Sequence, residues 1–323
     1  MRTTTLGKTG LTVSELGFGA WGIGKSMWIG AEDDESTRAL RGAIERGVNF
    51  LDTALGYGRG HSETLVGAAA REAAETVHVA TKVPPKNGRW PAPPGVDADD
   101  AFPADWVVEK TEESLRNLGL ETIDVQQFHV WSDEWVGEGS WADGIAKLKQ
   151  DGKIRFFGVS INDSQPANAI RLVESGLVDT VQVIYNIFEQ APEDELFAAV
   201  RAADVGVIVR VPLDEGGLTG NVRPDTVFPE GDFRERYFAG DRKREVWERV
   251  QAIAADLGVT VEELPEVALR FCISDPATST VIAGMRTLEH VEANARAIEA
   301  GPLTDEQLAA LRAHRWDRDF YPR

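Results

Sequence analysis

The feature that most constrains this chain is a rhythm. Eight short runs rich in β-branched and aromatic residues recur along it, at 16–19, 48–53, 77–82, 123–129, 154–160, 180–186, 205–211 and 278–284, with helically patterned segments between them. Several runs are apolar without alternation, the pattern of parallel strands covered on both faces. The intervening helices read at 34–46, from Ser62 onward, and at 105–118, 164–175, 192–203, 241–257 and 288–300, with an apolar helical stretch at 266–273. Acidic residues open the first of these and Gly47 follows it; Gly119 follows the third. These are the residue types that close helix ends. Ahead of the first run, segments 3–6 and 11–15 flank Gly7-Lys8-Thr9-Gly10, which reads as a hairpin turn. Eight strands, each followed by a crossover, predict an α/β fold: a (β/α)8 TIM barrel with an N-terminal β-hairpin closing its floor. No linker divides the chain, so residues 1–323 are expected to form a single domain.

Composition removes several kinds of partner. With 34 Lys+Arg against 53 Asp+Glu the net charge is −19, which disfavours nucleic acid and anionic membranes. No run approaches the roughly 18 apolar residues of a membrane span. The first eleven residues lack the apolar stretch of a secretory signal. The one cysteine, Cys272, excludes an intramolecular disulfide and reads as an inert core thiol. A cytoplasmic setting is expected. Five histidines without a cluster of ligand spacing point to no metal site; His61 reads as opening a helix, and His78 and His314 as superficial.

In a barrel of this kind chemistry sits where strands end. The polar residues that end the runs are Asp52, Lys82, His129, Ser160 with Asn162, Gln182 and Arg210, with Arg286 just after the last run and Tyr57 five residues beyond Asp52. Free tyrosine titrates near pH 10, too high for an efficient acid at neutral pH. An ammonium beside it favours the phenolate, and a carboxylate keeps that ammonium charged and in place. A histidine can then orient a carbonyl oxygen. Tyr57, Lys82, Asp52 and His129 are therefore the expected catalytic group.

Two glycine-rich patterns compete with this reading. Residues 17–22 fit G-x-G-x-x-G, and Gly19 to Ser26 fit the P-loop pattern G-x-x-x-x-G-K-[ST]. Both require a helix to begin at the last motif residues so that its amides face phosphate. Here Met27-Trp28-Ile29-Gly30-Ala31 follows, and a helix is expected only near Asp34. A P-loop nucleotide hydrolase remains the rival with the most different chemistry. Of nine tryptophans, Trp21, Trp28, Trp90, Trp131, Trp135 and Trp141 lie in or beside the strand-end loops. An aromatic substrate cleft built from Trp21, Trp28, Trp90 and Trp131 is expected. Three stretches are long for plain loops, at 84–103, 130–140 and 212–240.

The strand ends also carry a resemblance. Val48-Asn-Phe-Leu-Asp-Thr-Ala-Leu-Gly-Tyr-Gly followed by Ser62-Glu, Ala80-Thr-Lys-Val, Val125-Gln-Gln-Phe-His-Val, Gly158-Val-Ser-Ile-Asn, Gln182-Val-Ile-Tyr-Asn, Pro212-Leu with Gly217-Leu-Thr-Gly, and Ile282-Ala-Gly-Met-Arg together resemble the aldo-keto reductase superfamily from about residue 6 to 300. The resemblance implies reversible hydride transfer between a nicotinamide and an aldehyde or ketone, with Tyr57 as general acid, Lys82 and Asp52 tuning it and His129 orienting the small-molecule carbonyl substrate. It implies that Ser160, Asn162 and Gln182 hold the nicotinamide carboxamide. Gly284, Met285, Arg286, His290 and Asn294 would take the pyrophosphate and adenosine end, and Trp21, Asp52, Pro212, Leu213 and Gly217 would line the cofactor.

Two positions depart from the family pattern. Ile161 separates Ser160 from Asn162, and Arg210 stands where many members stack an aromatic ring on the nicotinamide. A guanidinium can stack, but it repels the positive ring of the oxidised cofactor, so Arg210 is expected to stack or to bond to phosphates. Arg286 favours NADP over NAD, while Glu289 and Glu292 close by could oppose its charge. NAD stays open. A non-catalytic nicotinamide-binding barrel that senses redox state is the second alternative.

Overall fold

In the computed structural model, which describes residues 1–321, an antiparallel hairpin of β1 (Thr3–Thr5) and β2 (Thr12–Ser14) precedes eight parallel strands that close into a barrel. The last two positions of the 1–323 span lie outside the described residues. The barrel strands are β3 (Leu16–Gly19), β4 (Phe50–Asp52), β5 (His78–Val83), β6 (Ile123–Phe128), β7 (Ile154–Ser160), β8 (Thr180–Ile184), β9 (Gly206–Arg210) and β10 (Thr278–Gly284), each paired with its chain neighbour and β10 with β3. Every residue of β5 and β8 is buried, which accounts for runs that do not alternate.

The hairpin seals the floor. Leu6, Leu11 and Val13 pack with Phe50, Ala80, Val125, Ile208 and Ile282 inside the lower barrel. Gly7 permits the fit: its φ is +48°, and a Cβ there would lie 2.4 Å from the Gly206 nitrogen. Lys8 N donates to Asp204 O at 2.6 Å.

Helices cover the outside: α1 (Asp33–Glu45), α2 (His61–Glu72), α3 (Ala98–Ala101), α4 (Ala104–Leu118), α5 (Trp141–Gln150), α6 (Ile170–Ser175), α7 (Leu196–Ala202), α8 (Phe233–Tyr237), α9 (Arg242–Leu257), α10 (Leu264–Cys272), α11 (Leu288–Glu299) and α12 (Asp305–Arg312). Three acids in the first turn of α1 suit its dipole. Four helices were not anticipated: α3, α5, α8 and α12. In α5 the central Gly144 lets the helix approach α4, since a Cβ would sit 3.0 Å from Ala104 O. In α12, Thr304 and Gln307 form a capping box. The helix expected from 164 starts only at Ile170, because Ser164 takes a left-handed φ of +55°. The loops at 84–103 and 212–240 contain α3 and α8. Cys272 is buried in α10 and donates to Tyr185 O. His78 is not superficial: it is buried on β5, with Nδ1 3.5 Å from Asp124 Oδ1.

Candidate active site

A strand turns every second side chain to the same face. Phe50, Ala80, Val125 and Ile208 belong to the sealed floor, so Asp52, Lys82, Gln127 and Arg210, two residues further along the same strands, stand on the same stripes at the C-terminal rim. There Lys82, fully buried, donates to Asp52 Oδ1, to Thr53 O at 2.9 Å and to the Tyr57 hydroxyl at 3.5 Å. Asp52 Oδ2 accepts from Gln127 Nε2 at 3.1 Å and Gln182 Nε2 at 2.8 Å, and Gln182 Nε2 also reaches Gln127 Oε1 at 3.2 Å. A buried ion pair is tolerable when its remaining valences are bonded in this way.

The turn after β4 delivers Tyr57. Thr53 Oγ1 donates to Ser62 Oγ at 2.8 Å, which donates to Ala20 O at 2.9 Å, tying this turn to the loop after β3. Gly58 has a φ of +65°, and a Cβ on it would lie 1.9 Å from Gly24 O. The two loops therefore touch through glycine backbone, and Gly24 packs against Tyr57 rather than cradling phosphate. The 19–26 segment forms a 3-10 turn at Trp21–Ile23, and the next helix starts at Asp33. That geometry removes both the P-loop and the G-x-G-x-x-G readings.

The His129 ring meets Tyr57 edge to face, with centroids 5.5 Å apart, and Trp90 covers His129 at 4.2 Å. Burial pushes the Tyr57 phenol far above its ordinary value, Asp52 adds to this, and Arg210 opposes it. The expected ammonium stands 3.5 Å from the phenol hydroxyl, while burial and the Asp52 carboxylate favour the protonated form of Tyr57. Burial also pulls Lys82 downward, with Asp52 pulling it back. His129 falls well below the usual histidine range through burial, then through Lys82 and Arg210, so its imidazole is neutral. Its Nδ1 is buried without a hydrogen-bond partner among the described residues.

The remaining expected residues fall into three places. Ser160 ends β7 opposite Gln182, whose amide is already bonded to Asp52. Asn162 exchanges bonds with Ala92 N and O at 3.2 and 3.1 Å and donates to Gln165, so it fastens the 84–103 loop to the rim. Arg210 Nη2 donates to Ile161 O at 3.0 Å and Asp163 Oδ1 at 2.6 Å. Pro212, Leu213 and Gly217 follow it in a tight loop, where a Cβ on Gly217 would lie 2.5 Å from Asp214 Oδ2.

At the far side Gly284 is exposed, Met285 is buried, and Arg286 donates to Ile29 O at 3.1 Å. His290 is exposed on α11, and buried Asn294 has an unpartnered Nδ2 among the described residues. Glu292 pairs with Arg46 at 3.0 Å. The acids whose charge reaches Arg286 are Asp232 and Glu35.

Trp21, Trp28 and Trp90 do stand at the mouth. Trp21 lies 6.3 Å from the Tyr57 ring and 5.8 Å from Trp28, and Trp90 is 44% exposed. Trp131 does not. It is fully buried against Phe128, Trp135 and Trp141, and belongs to the packing under the loops. Sequence reasoning missed Gln127, Asp163 and Arg234, whose guanidinium lies 4.2 Å from the Trp28 ring. Parity could have found Gln127, two residues after the inward Val125; Asp163 and Arg234 leave no such trace. Among the described residues no group of three or more His, Cys, Asp or Glu is placed to hold a metal ion, and no helix is long and apolar enough to cross a membrane.

Comparison with known proteins agrees with this geometry. The model of the aldo/keto reductase family matches residues 15–315. The aldo-keto reductase YhdN of Bacillus subtilis (strain 168) is 30% identical over 91% of this chain and 87% of its own length. The NADH-specific methylglyoxal reductase of Escherichia coli (strain K12) is 29% identical over 97% of this chain and 98% of its own. Among solved structures, the holo form of aldo-keto reductase AKR11C1 from Bacillus halodurans superposes with a TM-score of 0.76 at 28% identity, covering 98% of this chain and 97% of the other. The glycerol dehydrogenase AKR11B4 from Gluconobacter oxydans gives 0.75 at 29% identity, covering 97% and 94%. The chain belongs to the aldo/keto reductase family.

Proposed function

We propose that this protein is an NADP(H)-dependent reductase of aldehydes or ketones in which Tyr57 is the general acid. The observation that carries the reading is the Lys82 ammonium, 3.5 Å from the Tyr57 hydroxyl and anchored on Asp52 inside the barrel. A nicotinamide bound across the mouth would supply the hydride. Residues at the mouth fit such a group: the buried, unpartnered amide of Asn294 and the half-buried guanidinium of Arg286 offer donors at the adenosine side. Ser160 and Gln182 border the catalytic side.

The chain's own part in the chemistry follows from its protonation states. Tyr57, kept protonated by burial, gives its proton to the carbonyl oxygen as the carbonyl carbon gains hydride. Lys82 stabilises the phenolate left behind, and Asp52, bonded to two amides, holds Lys82 in place. Neutral His129 offers a ring N–H to the same oxygen without adding charge. Trp21, Trp28 and Trp90 give the substrate apolar walls.

NADP is preferred over NAD because Glu292 is turned to Arg46, which leaves Arg286 free of it. The NADH-specific relative keeps NAD as the second choice. A redox sensor without turnover would have no use for the contact between Lys82 and Tyr57. The proposal includes a cytoplasmic setting, compatible with a single buried thiol.

The test is nicotinamide fluorescence on adding protein to NADPH and to NADH, followed by cofactor consumption over a panel of aldehydes and ketones. Tyr57→Phe is expected to lower turnover by roughly a thousandfold while cofactor binding persists. Turnover within tenfold of the parent would remove Tyr57 from its role.

A further inference from the structure

Arg210 is a cation at the rim that the proposed proton transfer leaves unused. It ends β9, beside Ile184 of β8, and the same strand ends carry Gln182 and Ser160. Its Nη2 is spent on Asp163 and on Ile161 O, which fixes the guanidinium plane, and its Nε is buried with no acceptor among the described residues. A group pinned in this way cannot swing out to solvent when a ligand arrives.

We propose that Arg210 makes this site discriminate between the two redox forms of a nicotinamide, binding the neutral reduced ring more tightly than the cationic oxidised ring. The inference rests on the nicotinamide reading above and deepens it. The carbonyl must lie within hydrogen-bond reach of the Tyr57 hydroxyl, so a ring that exchanges hydride with it lies on the same side of the mouth. That region already contains Lys82 and Arg210. An oxidised ring brings a third positive charge to it, and a reduced ring brings none.

The neighbouring anions cancel Arg210 only in part. Asp52 is committed to Lys82. Burial holds the Glu215 carboxyl up to about 8, so at neutral pH it is mostly protonated. Asp163 is the direct partner, but it lies in the loop beyond β7, while Arg210 ends β9 on the inward stripe that carries Asp52, Lys82 and Gln127. Viewed from the reacting groups, the cationic end of the Arg210–Asp163 pair faces inward. In a partly buried site such a dipole is screened less than it would be in bulk water. The consequence is that the oxidised product leaves readily once hydride has been transferred.

The experiment measures dissociation constants for NADPH by fluorescence and for NADP+ by calorimetry. The proteins are the parent, Asp163→Asn and the double variant Arg210→Gln/Asp163→Asn. The readout is the ratio of the two constants within each protein, so a general loss of affinity cancels. The parent is expected to bind NADPH more tightly. The double variant, which removes both charges, should lower the ratio by roughly tenfold, equivalent to about 1.4 kcal/mol. Asp163→Asn, which bares the guanidinium, should raise it, and this arm decides if the double variant does not fold. A ratio unchanged within twofold in a folded double variant, or one that falls in Asp163→Asn, overturns the proposal and leaves the reductase reading intact. Failure of the parent to bind either form overturns both.

Discussion

The floor and the rim of the barrel are built on the same strands, two residues apart, and have opposite chemistry. Phe50, Ala80, Val125 and Ile208 are apolar and closed over by the hairpin residues Leu6, Leu11 and Val13. Asp52, Lys82, Gln127 and Arg210 are polar, and the first three are buried and bonded to one another. Strand parity decides that both sets point inward, and residue type alone decides which layer is a core and which is a site. The floor carries stability by excluding water. The rim places an ion pair where it is costly to build and useful to keep, because a charge in a dry site acts strongly on its neighbours.

The largest test of this division is Lys82→Met. It removes the cation and leaves Asp52 buried with only amide partners. Loss of about 3–5 kcal/mol of stability is expected from breaking a buried pair, together with a drop in turnover of the order of a hundredfold or more. Thermal unfolding and kcat on the same preparation measure both. A variant that stays active would mean that Tyr57 needs no ammonium, and the contrast between the layers would lose its chemical half. The complementary change is Phe50→Ala, two residues below Asp52. A cavity in the sealed floor should cost about 3–5 kcal/mol while kcat, assayed well below the melting temperature, stays within about twofold. A tenfold fall in kcat there would show that the layers are mechanically one.

How much of this was legible in the sequence follows from the same geometry. Asp52, Lys82 and His129 were readable because each is a polar residue ending an apolar run, a local signal. Tyr57 needed its glycine-rich turn and the family resemblance. Gln127 was hidden inside a run, although its parity was visible. Trp131 and Trp90 look alike as tryptophans near strand-end loops. One is enclosed by Phe128, Trp135 and Trp141 while the other stands open over His129, and that difference depends on helix α5, which was not anticipated. The segment 316–321 was opaque. Arg318 bonds to Asp214, and Tyr321 donates to Glu215 across a sequence separation of 106, a contact no local pattern encodes. For Tyr57, pairwise chemistry named the neighbours, and the upward pull of burial on its phenol is a term no local pattern encodes.

That distal segment yields the smallest test, and it concerns a polar group buried outside the strand stripes. Glu215 lies in the loop after β9 with a left-handed φ of +53°, and accepts from the Tyr321 hydroxyl at 2.8 Å. Burial raises its carboxyl from 4.5 to about 8, with Asp214 adding to the rise and Tyr321 and Arg210 opposing it. The sign follows from linkage. An acid whose folded value exceeds its unfolded value binds a proton on folding, so its contribution to stability falls as pH rises from about 4.5 to about 8 and stays low above that. Glu215→Gln keeps the shape and cannot ionise. The variant should melt close to the parent at pH 4 and on the order of 2–4 °C above it at pH 9, the shift expected for each 1 kcal/mol in a chain of this size or somewhat smaller. A melting difference that does not change between pH 4 and pH 9 would show that Glu215 keeps an ordinary carboxylate value. The loop would then behave as wet surface, and the dry region would end at the rim residues carried by the strands.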